Sequence, residues 1–302
     1  MDGRSPGVLA RGSLCCHCLL VEAADQLVLV DTGLGLRDVR NPRARLSRFF
    51  LKLLSPDFRE ELTARRQVER LGFDARDVRQ IVLTHLDFDH AGGIDDFPWA
   101  RVHMLRQERD SAVAQRTWLD RQRYRPRQWS YQAQWQMHDG ILGTRWYGFN
   151  HVCGGAGLPP EILLIPLIGH TFGHAGVAIR TGQRWLLQAG DAYFFHRELD
   201  VSDPYCTPGL RTYQWLMEKK RRARLQNQER LRELRRLHSE IEIFCSHDPT
   251  EFERLAGRPM AQPPESVAGR NAELTPALAE GSNELEIARR RTTDSGQPRM
   301  NS

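Results

Sequence analysis

The sequence predicts an α/β fold. Short apolar runs, four of them stopping at His or Asp, have the length and β-branched content of buried strands. Segments with helical spacing lie between and after them, chief among them 215–237. With 302 residues and 40% hydrophobic content, the chain can bury a core of domain size, so composition does not point to a disordered or fibrous protein.

Taken in order, Leu14 to Val21 reads as a buried strand. Cys15, Cys16 and Cys18 within it read as packed thiols, since free cysteine is among the most buried residue types. The six cysteines lack the dense spacing of a secreted disulfide scaffold. Arg37 to Arg66 is expected to be helical, with Phe49, Phe50, Leu53 and Leu54 as its apolar face and one wall of a site. Ile81-Val82-Leu83 is a strand signal. Residues 107–160 form an insertion that holds Trp118, Trp129, Trp135 and Trp146 with Tyr124, Tyr131, Tyr147 and Phe149. Its aromatics suit either core packing or a lid over an apolar part of a substrate.

Three more apolar runs follow: 162–168, 185–189 and 241–244. Trp215, Leu216, Leu225, Leu231, Leu234 and Leu237 recur at roughly helical spacing, which predicts one long amphipathic helix with a basic solvated face. From 258 to 302 the chain turns to Pro, Ser, Gly, Glu and Thr, predicting a disordered tail with one short helix near 284–291. The expected organisation is a catalytic domain over 1–257 followed by that tail.

The chemistry sits at the strand ends. Thr84-His85-Leu86-Asp87-Phe88-Asp89-His90-Ala91-Gly92-Gly93 puts four potential metal ligands within six residues, and its Gly-Gly is expected to let the backbone turn beside them. Gly169-His170-Thr171-Phe172-Gly173-His174, Gly190-Asp191 and Ser246-His247-Asp248 end the other three runs. A lone histidine is usually a hydrogen-bonded structural group. Repetition at four strand ends is how a rigid scaffold assembles a catalytic site. Imidazole and carboxylate together suit Zn, Fe or Mn.

This constellation resembles the metallo-β-lactamase superfamily, whose hallmark H-x-H-x-D-H is followed by a distant His, Asp and His. The similarity runs from about Leu14 to about Leu255 and takes in Val30-Asp31-Thr32-Gly33, which resembles an early Asp-Thr-Gly turn of that family. The resemblance implies an αββα four-layer sandwich of two mixed β-sheets, with two divalent metal ions at one edge. It implies that His85, Asp87 and His170 hold one ion, that Asp89, His90 and His247 hold the other, and that Asp191 bridges them. His174 would orient a ligand or touch substrate. Position 87 departs from the pattern, being Asp where His is usual. Either that metal position has decayed, or Asp87 ligates through oxygen and shifts preference from Zn, the default, toward Fe or Mn.

Such a pair of ions would share a hydroxide for attack on a small ester, lactone or thiolester, with Asp89 both ligating and accepting a proton. The lactonase branch that opens acyl-homoserine lactones is similar in several segments. It usually carries a tyrosine three residues after the bridging aspartate, whereas here Tyr193 lies two residues on and Phe194 three. Glyoxalase-II-like thiolester hydrolysis is the neighbouring reading. A di-metal redox protein and a nucleic-acid-processing metallo-hydrolase are the rivals. The net charge of +5 is modest, and interleaved glutamates fit intrahelical pairing better than a nucleic-acid face. No long apolar span or signal pattern is present, so the expectation is a cytoplasmic protein without a membrane partner. A small molecule is the expected partner, with a homodimer left open.

Overall fold

The computed structural model describes residues 4, 12–23, 26–131, 134–139, 144–155, 157–261 and 279–289. Among them twelve strands follow one another: β1 (Gly12–Ala23), β2 (Gln26–Val30), β3 (Val78–Val82), β4 (Arg101–Leu105), β5 (Trp135–His138), β6 (Thr144–Trp146), β7 (Phe149–Val152), β8 (Ile162–Pro166), β9 (Ala175–Thr181), β10 (Arg184–Gln188), β11 (Ile241–Phe244) and β12 (Ala279–Arg289). One sheet has the order β12-β1-β2-β3-β4-β5, a second β11-β10-β9-β8, and β6 pairs with β7. Both large sheets are mixed. In the first, β1 and β2 are antiparallel while β2 through β5 run parallel. In the second, β10 and β11 are parallel while β9 is antiparallel to both its neighbours.

Side-chain alternation shows why the strands read as unbroken apolar runs. Leu27 and Leu29 of β2 join a cluster with Ala64, Val68 and Ala112 from flanking helices, whereas Val28 and Val30 face the other way. There, with Val82, they meet Leu164, Val177, Ile179 and Phe244 of the second sheet. Beyond that sheet, Ala178, Leu187, Ile241 and Ile243 pack against Leu231 and Leu234 of the helix Arg221–Leu237. Each sheet is thus buried on both faces, which removes the usual polar alternation. The layer order helix, sheet, sheet, helix is the αββα sandwich.

Several local expectations are corrected. The helical pattern of 215–237 is two helices, Pro208–Met217 and Arg221–Leu237. They break because the backbone N–H groups of Lys219 and Lys220 both donate to the Gly169 carbonyl. Trp215, Leu216, Leu225 and Leu237 are exposed, and the second helix instead buries Arg224, Asn227 and Gln228 beside Leu231 and Leu234. Residues 279–289, expected to be disordered with a short helix, form β12, paired in parallel along β1 from Gly12↔Ala279 to Glu22↔Arg289. Alternation of apolar with polar residues there (Leu285, Ile287) suits a strand as well as a helix turn, and the open edge of β1 decides. The other residues of the expected tail after 261, and the end of the expected 284–291 helix, lie outside the described residues. In the insertion, Tyr124 and Trp129 pack in the core outside the first sheet, and Trp146 and Phe149 in that outside the second. Trp118 and Tyr131 are exposed.

Gly92 and Gly93 have ordinary negative φ, so they do not serve a left-handed turn. They allow close approach instead. A Cβ on Gly92 would lie 2.7 Å from the Gly33 carbonyl oxygen, and one on Gly93 2.8 Å from that of Thr32. This contact seats the Asp-Thr-Gly turn against the helix that carries His90.

Asp96 is buried at the end of the same region, where its Oδ2 accepts from the Leu36 N–H at 2.9 Å. Burial pushes its carboxyl up to about 7, against that single hydrogen bond and with Asp38 adding repulsion. The folded chain therefore favours the protonated form. The stability this contributes is present below the ordinary carboxyl range and is lost as pH rises through about 7. Asp96→Asn keeps the acceptor and removes the titration. We expect it to raise stability at pH 8 by about 1–2 kcal/mol and by less at pH 5. Thermal melts at the two pH values check this, and an equal change at both would contradict it.

Candidate metal centre

Four connections at one edge of the sandwich bring the polar residues together. β3 stops at Val82, the turn after it carries His85 and Asp87, and the short helix Phe88–Ala91 carries Asp89 and His90. The β8–β9 loop carries His170 and His174, while Asp191 follows β10 and His247 follows β11. Two sets of ligand atoms each lie within 4.8 Å: His85, Asp87, His170 and Asp191, and His90, Asp191 and His247. Asp191 belongs to both. Its Oδ2 is 3.7 Å from His85 Nε2 and 3.3 Å from His170 Nε2, and its Oδ1 is 3.4 Å from His90 Nε2 and 3.1 Å from His247 Nε2. Asp89 stands slightly apart, its carboxylate oxygens 4.0 Å from His90 Nε2 and 3.8 Å from His247 Nε2.

The surroundings fix which nitrogen each ring presents. Asp31 of the Asp-Thr-Gly turn accepts from Thr84 N–H and Thr84 Oγ1, and it contacts His90 Nδ1 at 2.9 Å. It does so from a left-handed backbone, φ 54°, a conformation that costs a non-glycine residue about 1 kcal/mol or more and is retained here because three partners need that carboxylate. His247 Nδ1 donates to the Cys15 carbonyl at 2.7 Å, leaving Nε2 to face Asp191. The Asp191 N–H donates to His174 Nε2 at 2.8 Å, so the His174 proton sits on Nδ1 and goes to the Leu167 carbonyl. With both nitrogens engaged, His174 holds the Asp191 backbone and offers no lone pair to an ion. Burial, with charge on His170, pushes its imidazole down to about 3.

The electrostatics divide along the same line. Burial opposes charge on His90 and His247, but Asp191 overrides it, with Asp31 and Asp89 adding for His90, and both imidazoles are held well above their ordinary range. His85 is driven well below by burial and by His90. Burial would raise Asp191, yet the four imidazoles around it hold it well below the usual carboxylate range. Asp89, half-buried and beside other carboxylates, is raised by its partial loss of solvent. Asp87 is held well below by Arg123, against its burial. The Arg123 guanidinium binds it through Nε to Oδ1 at 2.6 Å and through one terminal nitrogen to Oδ2 at 2.5 Å.

Of the residues singled out in the sequence, only Tyr193 is not brought to the cluster. It is fully buried in the core outside the second sheet, and its hydroxyl donates to Glu251. Four residues to which the sequence assigned no role in the site do reach the centre, among them Cys16, read as a packed thiol, and Phe194. Arg123 comes from the insertion, and Phe194 stacks on His247 with ring centroids 5.0 Å apart. Cys16 joins Asp89 and His247 in a third set of ligand-type atoms within 4.8 Å. Tyr213, from the helix Pro208–Met217, lines a cleft beside the cluster together with Leu14, Cys15, Cys16, Leu54, Asp89, Phe194 and His247. Leu54 realises the expected wall from 37–66.

The donor set fits a divalent cation. His85 Nε2 and Asp191 Oδ1 are buried with no hydrogen-bond partner, and orphaned acceptors of this kind are what a metal satisfies. The family profile described as the metallo-beta-lactamase superfamily matches residues 14–247. A probable metallo-hydrolase of Mycobacterium tuberculosis is 41% identical over 244 residues, covering 80% of this chain and 77% of that protein. An N-acyl homoserine lactonase of Bacillus thuringiensis is 28% identical over 166 residues, 55% of this chain and 58% of its own length. The crystal structure of a quorum-quenching N-acyl homoserine lactone lactonase superimposes with a TM-score of 0.56 at 22% identity, covering 78% of this chain and 80% of that one. A match across most of the chain, on the fold and motif residues described above, places it in the metallo-beta-lactamase superfamily as a metallo-hydrolase.

Proposed function

We propose that the protein hydrolyses a small, uncharged acyl compound (an ester, a lactone such as an acyl-homoserine lactone, or a thiolester) at a divalent metal centre. His90, His247, Asp89 and Asp191 would hold a metal on one side of the cluster, and His85, Asp87, His170 and Asp191 are the matching group of donor atoms on the other. Zn is the default and Fe or Mn are the alternatives for this mixed imidazole and carboxylate set. Bound there, the cation would acidify water and polarise the scissile carbonyl.

The chain's own groups supply the rest. Asp31, Cys15 and His174 hold His90, His247 and Asp191 in the orientation that turns lone pairs inward. Asp89, whose carboxyl is raised by burial and lies at the cleft, is placed to take a proton from water as it attacks. Tyr213 presents a phenol at the same cleft, where it would donate to the substrate oxygen. Leu14, Leu54 and Phe194 give the acyl portion an apolar wall.

The observation that carries the substrate class is the lining of that cleft. Among the described residues it contains no Lys or Arg. Apart from the cation itself, no side chain described there would balance the charge of a phosphodiester or nucleic acid. The lactonase relatives favour the lactone within this class. The test is a panel of acyl-homoserine lactones, aryl esters, thiolesters and phosphodiesters, assayed with the protein as purified, after chelation, and after restoring Zn, Mn or Fe. Chelation is expected to lower acyl hydrolysis at least about 100-fold, with recovery on adding metal. Undiminished activity in the chelated protein would end the metal reading. Phosphodiester cleavage alone would end the acyl one.

A further inference from the structure

We infer that Arg123 is the resident cation of the His85–Asp87–His170 half of the centre, so that the protein holds one divalent ion firmly, in the His90–His247 half. This rests on the metal reading of the cluster given above. Arg123 is wholly buried, and its partner carboxylate is nearly so. All three guanidinium nitrogens are engaged: Nε with Asp87 Oδ1 at 2.6 Å, one terminal nitrogen with the Met217 carbonyl at 2.6 Å, and the other with Asp87 Oδ2 at 2.5 Å. That last nitrogen is also 2.8 Å from His170 Nε2.

His170 Nε2 also lies 3.0 Å from Asp87 Oδ2, so it either accepts from the guanidinium or donates to the carboxylate of the same ion pair. In either state the nitrogen with which His170 would bind a metal is engaged by the Arg123–Asp87 pair. Both oxygens of Asp87 accept from Arg123. Of the four ligand atoms gathered on this side, only His85 Nε2 and the shared carboxylate of Asp191 remain, and His85 Nε2 is the one without a hydrogen-bond partner. A divalent ion placed among them would also sit within a few ångström of a buried positive charge that cannot ionise away.

The other half differs in each respect. No arginine or lysine contacts His90, His247, Asp89 or Asp191 through a hydrogen bond or ion pair among the described residues. His90 Nε2 and His247 Nε2 face each other at 3.3 Å, a separation two ligands of one small cation adopt. Asp191 Oδ1 lies between them without a hydrogen-bond partner. The replacement of imidazole by aspartate at position 87 thus has a purpose in this chain. It anchors an internal cation rather than simply losing a ligand.

The experiment titrates the full-length, metal-stripped protein with zinc against a chromogenic chelator and counts retained zinc by mass spectrometry. The wild type is expected to keep one equivalent, with a second taken up only at free zinc at least about 100-fold higher. Asp87→His/Arg123→Gln removes both charges of the buried pair together and restores an imidazole, and it is expected to retain two. Arg123→Gln alone is expected to move the same way, with circular dichroism reporting whether it folds. Two tight equivalents in the wild type would overturn the inference, a measurement that needs no variant. So would a folded double variant that stays at one. No tight zinc in the wild type would instead overturn the metal centre itself, on which this depends.

Discussion

Asp191→Ala is expected to lower kcat/KM by at least about 10³-fold, equivalent to about 4 kcal/mol of transition-state stabilisation, while the far-ultraviolet circular dichroism stays that of the wild type. The size follows from the number of groups that share this carboxylate. Four imidazoles approach it within 3.1 to 3.7 Å, two on each oxygen. Without it, His90 and His247 lose the charge that favours their cationic forms, and nothing ties the two halves of the cluster together. The fold survives because the backbone carries the local structure. The Asp191 N–H still reaches His174, and Gly190, at φ 55°, still makes the turn. Asp191→Asn separates charge from shape. It fills the same space and is expected to fail almost as badly, with zinc retained per chain dropping alongside activity. A rate within tenfold of wild type for either variant would remove Asp191 from the centre.

The parts of this site that were legible in the sequence are those delivered by strand ends. His85, His90, Asp191 and His247 each follow an apolar run closely, so chain connectivity places them at one sheet edge whatever the loops do. The αββα layering was legible through the resemblance, and its physical mark is the same: strands such as Gln26–Val30 and Ile162–Pro166 carry apolar residues on both faces. What could not be read arrives through long-range packing. Arg123 is 36 residues from Asp87 in the chain, at the end of a six-residue helix in an arginine-rich segment, and no local pattern distinguishes it from its exposed neighbours. The signal available was indirect. A carboxylate added to a buried anionic cluster demands a cation, and the aspartate at position 87 announced that demand without naming its source. The split of 215–237 into two helices was hidden for a related reason. Its cause is the Gly169 carbonyl, which accepts from Lys219 and Lys220, and the sequence of the helix itself contains no Gly or Pro there to mark the break.

Tyr213→Phe is expected to reduce kcat about 10- to 100-fold with little change in KM, whereas Tyr193→Phe is expected to leave kcat intact and cost about 1 kcal/mol of stability. Sequence proximity to Asp191 favours Tyr193. Geometry reverses the choice, because a residue two positions beyond a turn points where the turn sends it, and here that is inward. Tyr193 meets Glu251, whose carboxyl is pushed up to about 7 by burial and which also accepts from the Cys245 N–H. Its hydroxyl therefore joins a structural network behind the second sheet. Phe194, the next residue, takes the place facing His247 and packs edge-on against Tyr213 with centroids 5.7 Å apart. Tyr213 thus stands at the cleft, held by a ring that tyrosine at 194 would otherwise supply. Burial, then the negative charge of Asp89, Asp87 and Asp191, raises its phenol well above the ordinary range, so it stays protonated and able to donate across the working pH range. A donor aimed at the oxygen where charge develops acts mainly on the chemical step, which is why the loss should fall on kcat. Steady-state kinetics of both variants on one acyl substrate, with thermal melts alongside, decide between them. If Tyr193→Phe lost activity and Tyr213→Phe did not, the catalytic hydroxyl would have to come from behind the sheet, which the observed hydrogen bonding does not allow without rearrangement.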